Sequence, residues 1–95
     1  MNIIWSPEAI TDLISLRAYI AERNPAAAQR MAQRIIEMIE EVLAPNPHIG
    51  RPGRIPGTRE FVIAARPYIV PYRVRSDALE ILRVYHGARR WPESL

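Results

Sequence analysis

The run His86-Gly87-Ala88-Arg89-Arg90-Trp91-Pro92 follows Arg83 and Tyr85, with Tyr68, Tyr72 and Arg73 in the preceding apolar segment. Guanidinium forks among aromatic rings suit RNA or an acidic protein surface, because the forks pair with phosphate or carboxylate while the rings stack or bury. In a ribonuclease of this composition, His86 would act as general acid and Arg89 would steady the phosphorane, without a metal. In a plainer reading, His86 ends a strand and Trp91 plugs the end of a sheet. Both readings stand on the residues alone.

Other chemistries are excluded by what the chain lacks. It has no cysteine, which removes disulfides, thiolate nucleophiles and cysteine-held metals. All 13 basic residues are arginine, so lysine chemistry is absent. His48 and His86 fall in no ligand spacing, and the four serines lie in no nucleophile motif, so neither a metal nor a cofactor is expected. Gly50-Arg51-Pro52-Gly53-Arg54 superficially resembles a phosphate cradle. It lacks the Gly-Lys-Ser/Thr ending, follows a helix, and spends a position on a proline without an N–H.

The elements that must position these residues are legible from periodicity. Asn2 to Trp5 is strand-like, and Ser6-Pro7-Glu8 predicts an N-cap, a first-turn proline and an acid at the positive end of a helix. Ile10, Leu13, Ile14 and Ile20, widened by Ala9 and Leu16, are expected to face the core, with Asp12, Arg17, Glu22 and Arg23 outward. Asn24-Pro25 repeats the start signal after a very short link, and Ala28, Ala32, Ile35, Ile39 and Val42 alternate steps of four and three. Met31, Met38 and Leu43 lie beside this stripe, where methionine fills core gaps. An antiparallel helical hairpin follows.

Pro45-Asn46-Pro47 stops the second helix, and the stretch to Gly57 holds four prolines and three glycines, which predicts a loop with no regular element. Residues 58–65, 68–75 and 79–86 are rich in Val, Ile and Tyr and read as an antiparallel meander. A two-residue turn at Ser76-Asp77 would place Arg73 opposite Glu80, Val74 opposite Leu79 and Tyr72 opposite Ile81. Pro71 cannot donate to a ladder and belongs at an edge or a bulge. The fold class is α+β, in the order β-α-α-β-β-β, with the hairpin packed on a small antiparallel sheet as one domain over residues 1–95. In this register Ile69, Leu82 and Val84 lie on a second apolar face that two helices cannot cover, which calls for a partner.

Charge divides the chain. Four arginines against six acids precede Ala44 and give −2, whereas nine against four follow it and give +5. The basic half is expected to face an acidic partner. No apolar run approaches a membrane span and the start lacks signal-peptide character, so no membrane is expected and the cytoplasm is the default.

These elements, together with Trp5-Ser6-Pro7, Asn24-Pro25, Gly50-Arg51-Pro52-Gly53-Arg54, Pro56-Gly57-Thr58-Arg59-Glu60, Tyr68-Ile69-Val70-Pro71-Tyr72-Arg73-Val74 and residues 83–92, make the chain resemble the RelE/ParE superfamily of type II toxin–antitoxin toxins, most of all its ParE branch. The resemblance implies a toxin that targets DNA gyrase, assembled into a hetero-oligomer with a cognate ParD-like antitoxin. RelE-like members instead cut mRNA on the ribosome, and Arg89, His86 and Arg83 would be their catalytic counterparts here. Most of that nuclease set is missing. The position after the tyrosine that opens the middle strand is Ile69 instead of arginine, the lysine positions are Glu60 and Val62, and no tyrosine follows in the tail. The target surface is accordingly expected at His86, Arg89, Arg90 and Trp91. The antitoxin surface is expected at Arg59, Arg73, Arg83, Ile69, Leu82 and Val84.

Overall fold

The computed structural model describes residues 1–64 and 68–87 of the chain. Strand β1 (Asn2–Trp5) leads into helix α1 (Pro7–Ala21) and helix α2 (Pro25–Met38). Ser6 caps α1 by accepting from the Ala9 N–H at 3.0 Å, and its hydroxyl donates to the Leu82 carbonyl at 2.8 Å, which ties the helix start to the sheet. Asn24 caps α2 through the Ala27 N–H at 3.0 Å. The α2 helix ends in a π turn over Ile39–Leu43, where the Ala44 N–H reaches back to the Ile39 carbonyl. The wider turn keeps Ile39 and Leu43 both fully buried.

Five further strands follow: β2 (Arg51–Pro52), β3 (Arg59–Ile63), β4 (Tyr68–Arg75), β5 (Ala78–Ile81) and β6 (Tyr85–His86). The sheet order is β1-β5-β4-β3-β2, with β6 also on β4. The expected register holds at Tyr72↔Ile81, Arg73↔Glu80 and Val74↔Leu79. Ser76 takes the left-handed φ of 54° that a two-residue hairpin demands. Val70, Tyr72, Leu79 and Ile81 are buried in one cluster with Leu16, Met31 and Ile35 of the helices.

Four expectations are corrected. The sheet is mixed, because β1 pairs with β5 in parallel after the helical hairpin has carried the chain across. The Gly/Pro loop contains a short strand, β2, where Pro52 sits at an edge and needs no N–H. The last strand is interrupted: the N–H groups of Leu82 and Arg83 both reach the Pro71 carbonyl, at 2.9 and 3.4 Å, forming a bulge. That extra residue turns Val84 into the core at 2% exposure, while Ile69, flanked by Val62 and Tyr85, is 7% exposed, so the expected bare second face is largely closed. Finally, α1 is rolled about its axis. Of the expected stripe, Ile10 and Ile14 are exposed, the latter at 63%, whereas Ala9 and Leu16 are buried as expected and Leu13 and Ile20 pack against the core.

Candidate functional site

The roll of α1 has a chemical cause. Asp12, read from the sequence as solvent-facing, points at the bulge between β5 and β6. It accepts from Arg83 Nε at 2.7 Å, Arg83 Nη2 at 2.9 Å and the Val84 N–H at 3.0 Å. The paired fork is the strong geometry for arginine and carboxylate. Bonding to Asp12 holds the Arg83 guanidinium even more firmly protonated than usual. The same guanidinium lies 5.0 Å from the centre of the Tyr85 ring, at cation–π distance. Burial raises the Tyr85 hydroxyl pKa above its ordinary value, against the opposing pull of Arg83. Next to it, His86 meets Tyr68 edge to face at 5.6 Å.

The other two arginines of the expected antitoxin surface are also engaged within the chain. Arg73 bonds Glu80 across the hairpin. Arg59 donates through Nη1 to the His48 carbonyl at 3.1 Å and the Gly50 carbonyl at 2.9 Å. Leu82 is half-buried, and Ile69 and Val84 are not available as surface. Arg89, Arg90 and Trp91 lie outside the described residues.

Three residues that the sequence reading did not single out for roles organise the region: Asp12, Tyr72 and Glu60. Tyr72 is fully buried, and its hydroxyl donates to the Pro47 carbonyl at 2.8 Å and accepts from the Gly50 N–H at 2.9 Å. A Cβ at Gly50 would lie 2.5 Å from that hydroxyl oxygen, so glycine is required there for close approach. Burial raises the Tyr72 pKa, with the Gly50 bond opposing. Glu60, 3% exposed, accepts from Arg51 Nε at 2.9 Å and from the Arg54 backbone N–H at 3.1 Å. The repeated Gly-Arg of the loop followed by a strand glutamate was a usable signal, since a carboxylate within a strand must find cations or N–H donors nearby.

A groove of about 370 Å³ opens between the helices and the far end of β3, lined by Ile20, Met31, Ile35 and Ile63, with Arg30 and Arg34 beside them. No group of three metal-ligating side chains converges among the described residues. No helix among them is long and apolar enough to cross a membrane.

Comparison with known proteins agrees with this architecture. Residues 3–91 match the family described as the ParE toxin of the type II toxin–antitoxin system parDE. The chain is 45% identical over 94 residues to the putative toxin Y4kP of Sinorhizobium fredii, covering 99% of this chain and 96% of that protein. It is 37% identical over 88 residues to toxin RelE2 of Caulobacter vibrioides, covering 93% and 97%. Among solved structures, a chain of the chromosomal ParDE TA system from P. aeruginosa superposes with a TM-score of 0.80 at 28% identity, over 90% of this chain and 95% of that one.

Proposed function

Since the chain belongs to the ParE toxin family of type II toxin–antitoxin systems, we propose that it arrests growth by binding DNA gyrase in the cytoplasm, without cutting RNA, until a cognate antitoxin neutralises it. The observation that carries this reading is the Asp12–Arg83 pair. A nuclease built on Arg83 would need that guanidinium for phosphate, and here both of its bonded nitrogens serve a carboxylate. Buried Glu60, bonded to Arg51 and the Arg54 N–H, occupies a strand position where the resemblance places a nuclease lysine, so that cation is missing from this strand. The target contact falls to His86 and the tail cluster Arg89, Arg90 and Trp91. The antitoxin would lay an acidic, amphipathic segment into the groove beside Arg30 and Arg34.

The name RelE2 of one relative favours the second reading, a ribosome-dependent mRNA endonuclease using Arg89 and His86. One experiment separates the two. On expression without antitoxin, DNA supercoiling is expected to stop or the DNA-damage response to rise while bulk mRNA stays intact. Primer extension that finds cuts in ribosome-bound codons, lost in Arg89→Ala and His86→Ala, would establish the nuclease instead. Replacement of Arg89, Arg90 and Trp91 by alanine is expected to abolish toxicity with melting unchanged.

A further inference from the structure

Strand β6 has little hold on its own direction. It is two residues long, pairs with β4 at Ile69↔Tyr85 and Tyr68↔His86, and follows a bulge, where a strand bends. The three residues that lead into it are fastened from the start of α1. Ser6 donates to the Leu82 carbonyl, and the Asp12 carboxylate holds both Arg83 and Val84. Its Oδ2 accepts from Arg83 Nε and from the Val84 N–H, while its Oδ1 accepts from Arg83 Nη2. One group therefore fixes a side chain and the backbone of the next residue. The Asp12 and Arg83 side chains are 15% and 23% exposed, so solvent screens the pair little. From Arg83 the contacts continue into the strand itself. The guanidinium lies over the Tyr85 ring, and the next residue, His86, meets Tyr68 edge to face.

We propose that Asp12 is a positioning residue for the target contact: it sets the direction of β6 and thereby the place of His86 on the surface that the toxin offers its target. The proposal rests on the toxin reading above, in which His86 belongs to that contact. Asp12 acts through Arg83 and Val84 and not by touching the target. Core packing holds the Val84 side chain, but apolar burial is non-directional and leaves the following backbone free to turn, whereas hydrogen bonds fix an angle as well as a distance. A carboxylate is required because three donors converge on it. Asparagine has the same shape but one acceptor oxygen, and its amide hydrogens would face one of those donors. The role is separable from antitoxin binding. Ile20, the α1 residue that lines the groove, lies eight residues further along the helix, about 12 Å away.

The test uses the full chain and two readouts, growth-arrest potency and the proton NMR signals of the histidine rings, which the edge-to-face Tyr68 ring displaces for His86. Asp12→Asn is expected to lower potency by about tenfold or more and to move the His86 signals, with those of His48 unchanged and affinity for the antitoxin encoded alongside altered less than about threefold. Asp12→Glu, which keeps two acceptor oxygens on a longer arm, is expected to fall between Asn and wild type on both readouts. Ile39→Val controls for lost stability: it trims a fully buried side chain on α2 outside the groove lining, and should leave both readouts at wild type. A folded Asp12→Asn that keeps its potency, or loses potency with the His86 signals in place, would overturn the proposal. So would an equal loss of potency in Ile39→Val, which would assign the effect to stability. A wild-type chain that arrests nothing would overturn the toxin reading instead, and the His86 signals would still decide whether Asp12 places that ring.

Discussion

At the scale of single residues, the two best-built polar contacts are those of Asp12 and Tyr72, and each makes a quantitative claim. Asp12→Ala leaves the half-buried Arg83 and the Val84 N–H without their partner, so it is expected to cost about 1–3 kcal/mol in urea unfolding. Arg73→Ala, at a more exposed pair, should cost no more than about 1 kcal/mol. Gly50→Ala is expected to destabilise by about 1–3 kcal/mol, since the new methyl group meets the Tyr72 ring. Tyr72 and Tyr85 both hold their phenolic protons more tightly folded than unfolded, their pKa values being raised from 10.0. Their contribution is therefore complete below about pH 10 and is lost as pH rises through the raised folded values. Tyr72→Phe should be less stable at neutral pH and should show a shallower decline in alkaline denaturation profiles. None of these pairings could be read from Asp12 or Tyr72 in isolation, because their partners lie 71 and 25 positions away.

At the scale of elements, caps, turns and hairpin register were legible because each depends on neighbours within a few residues. The roll of α1 was not. Apolar residues occur on several sides of this helix, so its periodicity admits more than one buried face, and Ser6 with Asp12 selects among them by bonding Leu82, Arg83 and Val84. This assignment is checked by a pair of substitutions. Ile14→Ser should change stability by less than about 0.5 kcal/mol, whereas Ile35→Ala, at a fully buried position on α2, should cost about 2–5 kcal/mol. Similar costs at both positions would mean that α1 sits the other way round. The break between β5 and β6 has the same origin: alternation continues through Leu82 to Val84 in the sequence, and only the double acceptance at Pro71 shifts it by one residue.

At the scale of the whole molecule, the open groove and its two arginines set the expected energetics of neutralisation. Apolar burial at roughly 25 cal/mol per Å² should supply most of the antitoxin affinity, while Arg30 and Arg34 should chiefly govern association. Calorimetry with the isolated antitoxin segment is expected to show a large negative heat-capacity change and a gain of helix or strand signal. Arg30→Glu with Arg34→Glu should slow association several-fold and blunt its salt dependence, leaving dissociation nearly unchanged. A heat-capacity change near zero would place docking on the charges alone. The sequence by itself determined the α+β class, the helical hairpin, the Tyr68–Arg75 strand and the resemblance that named the family, because local capping, periodicity and turn chemistry leave few alternatives. Tertiary structure decided what each arginine meets. Arg83, Arg73, Arg59 and Arg51 look equivalent along the chain, and only the groups brought to them from other segments distinguish them: Asp12 for Arg83, Glu80 for Arg73, the His48 and Gly50 carbonyls for Arg59 and Glu60 for Arg51.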